Sequence, residues 1–296
     1  MKRHDPVDID DTLLRAWPLP QPHARADKSD RGTLLVVAGS AQMPGGAVLA
    51  AEAALRAGAG RVVIATVTEA AASVAAAVPE ARVIGLRATA EGGIAADGAA
   101  EALARQLERA DALLVGPAML DEAATVALAC ALRMAAPALP VVLDAAAIAA
   151  ADVDVPGCPP PLITPHAGEM ARATGDAKPA VQAEPVDCAA EAAQRLPAYV
   201  ALKGAHTVIA APDGRLWQHH AVVPGLGTAG SGDVLAGVIA GLAARGAPLE
   251  QAAAWGVALH ARAGQRLADR IGPIGFLARE LAAELPALLA ELRPGP

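Results

Sequence analysis

The residues best placed to do chemistry lie in Gly227-Thr228-Ala229-Gly230-Ser231-Gly232-Asp233, which runs straight into an apolar stretch over 234–242. Small residues feeding a buried helix leave backbone amides unpaired at the positive end of its dipole. Without Cβ atoms at Gly230 and Gly232 a phosphate can approach those amides closely, so the segment predicts an anion site. Asp233 then falls inside the first turn, where a bound polyphosphate would repel it. A carboxylate in that place makes sense as a base that takes a proton from a hydroxyl attacking phosphorus. An ordinary capped helix, with Ser231 or Asp233 at its start, has the same pattern, and the motif alone leaves both readings open. The spacing is neither that of a P-loop nor that of a dinucleotide fingerprint.

Other segments offer matching parts. Lys203-Gly204-Ala205-His206-Thr207 sits between two strand-like runs, where an ammonium and the amides after it can hold a phosphate, or where a plain tight turn can sit. Thr164-Pro165-His166-Ala167-Gly168-Glu169 follows a strand and opens a helix, so His166 and Glu169 face the opening above the sheet or simply cap the helix. Pro44-Gly45-Gly46-Ala47, beyond Gly39-Ser40, is a small-residue loop that leaves room for a ligand or only turns the chain. Asp144, after a strand, could hold Mg²⁺ through water or cap the next helix. His219 and His220 are adjacent on a strand and point to opposite faces, so they predict no metal site.

The elements that must position these residues follow from periodicity. Strands are expected at 33–38, 61–66, 82–86, 112–115, 141–144, 162–164 and 200–203, with a hairpin of 207–211 and 215–219 around Pro212-Asp213-Gly214. Helices are expected at 46–57, 99–110, 121–135, 233–244, 249–269 and 276–292, and a short amphipathic piece at 11–17 inside a polar, Pro-rich leader. Alternating short strands and longer helices predict an α/β fold with a mostly parallel sheet covered on both faces. Ligands then bind at the carboxyl ends of the strands, where the segments above cluster. No sequence break divides the chain beyond the leader, giving 1–26 as leader and 27–296 as one domain.

Composition narrows the function. The chain has 296 residues, enough for a substantial core, with 54% hydrophobic and 19% charged residues, and much of the apolar share is alanine. No run reaches the ~20 strongly apolar residues of a membrane span, and the first residues lack a secretion signal, which together predict a cytosolic protein. A net charge of −7 argues against a nucleic-acid binder. Cys130, Cys158 and Cys188 form neither a disulfide framework nor a metal-ligand spacing.

Taken in order, these segments resemble the ADP/ATP-dependent NAD(P)H-hydrate dehydratases of the ribokinase-like superfamily, over roughly residues 27–292. The resemblance rests on residues 32–40 and 51–60, on 164–169, on Lys203-Gly204-x-x-Thr207, on Gly230-Ser231-Gly232-Asp233 with the four residues after it, on Leu259-His260 and on 275–281. It implies a three-layer ribokinase-like sandwich, and repair of nicotinamide cofactor hydrated at C6 of the reduced ring. Nucleotide hydrolysis drives loss of water by first phosphorylating the C6 hydroxyl. Bacterial members resemble one another in using ADP, giving AMP and phosphate.

On that reading Asp233 is the base, and Gly230, Ser231 and Gly232 stabilise the transferring phosphoryl group through their amides. Lys203, Gly204, Ala205, His206, Thr207 and Gly232 contact the nucleotide. Gly46, Gly116, Ala118, His166 and Asp233 line the hydrated-nicotinamide side. The implied co-substrate is ADP, with ATP as the alternative, together with Mg²⁺ and no dedicated protein metal site. The implied partners are these small molecules, with no membrane or nucleic acid, in a homotetramer. The family commonly has glycine where Ala118 stands, alanine where Gly46 stands and proline where Ala167 stands. Relatives with an epimerase carry it on a separate domain, for which a resemblance starting near residue 27 leaves no room. A vitamin-precursor kinase on the same fold and a non-catalytic nucleotide-binding protein are the alternatives. An intact Asp233 speaks against the second.

Overall fold

The computed structural model describes residues 5–21 and 27–293. Residues 1–4 and 22–26 of the expected leader, and the last three of the chain, lie outside the described residues.

Ten strands form one sheet: β1 (Val7–Asp8), β2 (Thr33–Val37), β3 (Arg61–Val67), β4 (Arg82–Leu86), β5 (Ala112–Val115), β6 (Val141–Leu143), β7 (Leu162–Ile163), β8 (Tyr199–Leu202), β9 (His206–Ala210) and β10 (Leu216–His220). Their order is β1-β10-β9-β8-β7-β6-β5-β2-β3-β4, parallel except where β9 meets β8 and β10. The central strands read as unbroken apolar runs, Leu34 to Val37 and Ala112 to Val115, all buried, because helices cover both faces. Those helices, after the N-terminal α1 (Asp11–Ala16), are α2 (Gly45–Arg56), α3 (Thr68–Ala77), α4 (Ala99–Ala102), α5 (Ala104–Leu107), α6 (Glu122–Ala135), α7 (Ala167–Thr174), α8 (Lys178–Ala183), α9 (Pro185–Arg195), α10 (Ser231–Ala244), α11 (Leu249–Ile271) and α12 (Ala278–Glu291).

From β2 the chain steps outward through β3 to β4, and from β5 it steps the other way through β6 and β7 to β8. Right-handed crossovers therefore place α2 and α3 on one face and α4 to α9 on the other. Helices α10 and α12 pack against α2, and α11 packs on α10 and α12. The reversal falls between the neighbours β2 and β5, and a crevice opens beyond their carboxyl ends.

Helices α2 and α10 meet at backbone distance. A methyl on Gly237 would fall 2.2 Å from the Ala50 carbonyl oxygen, and one on Gly241 would fall 2.8 Å from Ala54 Cα. The alanines of α2 and the glycines of α10 are the residues that allow this, which gives part of the chain's alanine content a packing reason.

Two expectations change. The helix expected over 99–110 is two short ones, α4 and α5, broken at the fully buried Leu103 (φ −99°, ψ 2°). The described part of the expected leader is built into the fold: β1 pairs parallel with β10, Val7 opposite Trp217, and Ile9, Leu14 and Leu19 are buried. Trp17 stacks on Trp217 with ring centroids 5.7 Å apart, and Trp255 Nε1 donates to the Trp17 carbonyl at 2.8 Å.

Candidate active site

Helix α10 begins as its glycines require. Gly230 takes the left-handed conformation (φ 87°), and no side chain caps the helix. The Ser231 amide turns back to the Thr228 carbonyl (3.3 Å), so the dipole and the amides after it face the crevice at Gly232. Asp233 follows, half-buried, with Oδ2 turned toward the start of α2. A methyl on Gly46 would lie 3.2 Å from that oxygen and 2.3 Å from the Ala118 methyl. Ala118, after β5, holds φ at +53°, in the region that favours glycine. Gly46, Ala118 and Asp233 therefore converge at the β2/β5 reversal. Gly116 (φ 124°) lies against the Asp144 carbonyl, where a methyl would fall 1.9 Å away, and so lets the loops after β5 and β6 pass each other.

Lys203, at the end of β8, binds the crevice together. Its amide donates to the Pro165 carbonyl (2.7 Å), and its ammonium donates to Asp144 Oδ1 (3.1 Å) and lies 3.9 Å from Glu169. Thr164 donates to the same Asp144 oxygen at 2.6 Å. A side chain on Gly232 would meet the Lys203 ammonium at 3.3 Å, so that charge stands directly before the start of α10. Burial opposes the Lys203 charge, but Asp144, Glu169 and Asp233 outweigh it and raise its pKa. Asp233 feels the reverse: burial, then the Asp144 carboxylate, push it up to about 6 against the pull of Lys203. That places it near neutrality, where a general base works best.

His166 caps α7. Its Nδ1 accepts from the amides of Gly168 (2.9 Å) and Glu169 (3.1 Å), while Glu169 Oε2 accepts from the His166 amide (2.8 Å). The proton of the neutral ring is then on Nε2. His260, on α11, places Nε2 3.0 Å from both the hydroxyl and the carbonyl oxygen of Ser231. Burial holds its pKa down to about 4, only partly countered by the Ser231 carbonyl, so the ring steadies the loop as a neutral group.

Beyond Lys203 and Gly232 lies a cavity of about 490 Å³. Gly204, Ala205, Thr207 and Ser231 give it a polar floor, and Val222, Val223, Leu226 and Val257 an apolar wall. Its size and walls suit a purine with its sugar, with phosphates toward Lys203. Thr207 closes the turn by donating to the Gly204 carbonyl at 2.9 Å. The ring of His206 points elsewhere: it stacks on His220 at 4.1 Å and lies 3.0 Å from Gln218 Oε1. Only the backbone of His206 is left to serve a nucleotide. His166 borders this cavity beside Lys203, away from Gly46 and Ala118.

Among the described residues no group of three or more His, Cys, Asp or Glu could hold a metal ion. Asp144 has Oδ1 engaged by Thr164 and Lys203, which leaves Oδ2 for a hydrated cation. Such a lone carboxylate suits Mg²⁺ shared with phosphates rather than a protein cage. Sequence reasoning gave no site role to the 222–226 wall or to His260, which entered only as part of the Leu259-His260 resemblance; its place beside Ser231 comes from packing of α11 on α10.

This three-layer sandwich has the ribokinase-like fold, shared with an Enterococcus faecalis protein at a TM-score of 0.83 and 23% identity, and at its crevice an uncapped helix start is flanked by an acid and a lysine. Residues 34–287 match the family model described as NAD(P)H-hydrate dehydratase. The ADP-dependent (S)-NAD(P)H-hydrate dehydratase of Xanthomonas campestris pv. campestris is 48% identical over 283 residues, 95% of this chain and 96% of that one. A bifunctional NAD(P)H-hydrate repair enzyme of Thermofilum pendens is 38% identical over 93% of this chain and 53% of its own length, so the chain spans about half of that relative. The crystal structure of the Bacillus subtilis ADP/ATP-dependent NAD(P)H-hydrate dehydratase, co-crystallised with ATP and Mg²⁺, superposes with a TM-score of 0.83 at 30% identity, covering 98% of this chain and 99% of that one. The chain belongs to the NAD(P)H-hydrate dehydratase family.

Proposed function

We propose that this chain removes water from the S form of hydrated NADH or NADPH, using ADP and releasing AMP and phosphate. The carrying observation is Asp233, a half-buried carboxylate of raised pKa standing between the Lys203 cavity and the Gly46–Ala118 crevice. Asp233 takes the proton of the C6 hydroxyl as that oxygen attacks the terminal phosphorus of the nucleotide and the bond to the AMP oxygen breaks. The Gly230, Ser231 and Gly232 segment stabilises the charge in flight, and Lys203 neutralises the nucleotide phosphates. The lone pair of the ring nitrogen then expels phosphate from C6, and loss of the C5 proton restores the C5–C6 double bond.

Nucleotide contacts fall to Lys203, Gly204, Ala205, the His206 backbone, Thr207 and Gly232. Gly46, Gly116 and Ala118 shape the nicotinamide side, while His166, expected there, falls to the nucleotide side beside Lys203. Asp144, through its free Oδ2, would help hold Mg²⁺ among the phosphates, where the ion would supply charge neutralisation. A cytosolic homotetramer is the assembly this reading carries; no described helix is long and apolar enough to cross a membrane.

The test is recovery of absorbance at 340 nm from the separated S and R hydrates with ADP or ATP. The S hydrate with ADP should regain it. No recovery from either hydrate with either nucleotide would overturn the proposal.

A further inference from the structure

A second cavity, of about 200 Å³, opens at the other end of the sheet. Four arginines from separate segments line it: Arg31 ahead of β2, Arg56 in the last turn of α2, Arg245 at the end of α10 and Arg293 beyond α12. Trp255 and Leu289 add an apolar wall. No carboxylate among the described residues pairs with any of the four, although six other arginines of the chain do form ion pairs. Arg245 is half-buried and spends two donors on the carbonyls of Ala57 (2.7 Å) and Pro20 (3.1 Å). Burial, then the charges of Arg293 and Arg31, hold its pKa below the ordinary value, which places those cations close together.

Helix dipoles account for a cation at the end of α2, α10 or α12 taken singly. They do not account for Arg31, nor for four guanidiniums gathered around one recess with an indole wall in a chain of net charge −7. Guanidinium groups match phosphate oxygens two at a time, and like charges crowded without a counterion are stabilised by an anion between them.

We propose that this cavity is a binding site for a small phosphate-bearing molecule, with the phosphate among the arginines and any ring or aliphatic part against Trp255 and Leu289. It is separate from the catalytic crevice. Asp233 and Gly46 lie in the first turns of α10 and α2, and Arg245 and Arg56 at their far ends, roughly 15–18 Å away along helices of this length.

Inorganic pyrophosphate is the probe, titrated calorimetrically at low salt into the wild type, Arg56→Glu/Arg293→Glu, and the charge-matched control Arg105→Glu/Arg109→Glu. All substituted positions are exposed, and melting temperatures confirm folding. The wild type and the control should show two binding events per chain, one in the catalytic cavity and one here. The Arg56/Arg293 variant should lose the second event or weaken it by about tenfold or more. Identical isotherms in all three proteins, or equal losses in both variants, would overturn the site.

Discussion

Two demands meet on the Asp233 carboxylate, and they pull stability and activity apart. Folding raises its pKa from 3.8 to about 6, so the folded chain holds that proton more tightly than the unfolded chain. The stability it contributes is therefore complete below pH about 4, is lost as pH rises through about 6, and above that the buried charge is a net cost of up to about 3 kcal/mol. Asp233→Asn should melt several degrees higher than the wild type at pH 8 and no higher at pH 4, while losing most turnover. A variant that keeps wild-type rates removes Asp233 as the base. The wild-type kcat/KM should fall on acidification with a midpoint near pH 6. Lys203→Gln takes away the cation that lowers the Asp233 pKa, so its acid limb should move to higher pH while KM for the nucleotide rises; an unmoved limb contradicts the coupling. The glycines and the acid of this loop are legible in sequence because each type has a local reason. The Asp144–Thr164–Lys203 network is not, since its members become neighbours only through the strand order β6-β7-β8.

Between elements, the tightest fit is where the first turn of α2 meets the loop after β5. Gly46→Ala drives a methyl into Ala118 and against the Asp233 carboxylate, so turnover should drop by about 10²-fold, with a stability loss of about 1–3 kcal/mol. Adding Ala118→Gly frees the space and relieves the left-handed backbone there, so the double variant should recover most of both. Steady-state kinetics and melting curves of the four-protein cycle check this; additive effects would show that the two sites do not share one space. Gly46 and Ala118 thus share one space that holds a methyl on one wall only. Long helices such as α10 and α11 and the apolar strands were readable from runs and breaks. The break at Leu103 was not, because no glycine or proline marks it and only tertiary packing bends the chain there. Nor was β1, two residues long, whose identity as a strand exists only in pairing with β10.

Across the whole molecule, residues 5–21 act as a seal on the sheet edge and the α11 surface. Deleting residues 1–21 strips Ile9, Leu14 and Leu19 from their contacts and uncovers Trp217 and Trp255. At about 1.5–3 kcal/mol per buried side chain, the loss should be roughly 5 kcal/mol or more, read as a lower denaturant midpoint and red-shifted tryptophan emission. Unchanged values would show that the segment merely rests on the domain. The pairing of Val7 with Trp217 also imposes a schedule on synthesis. At about 5–20 residues per second, β1 leaves the ribosome roughly 10–40 seconds before its partner strand exists. Until then the first residues of the chain have nowhere to dock, and the outer edge of β10 is the last one closed.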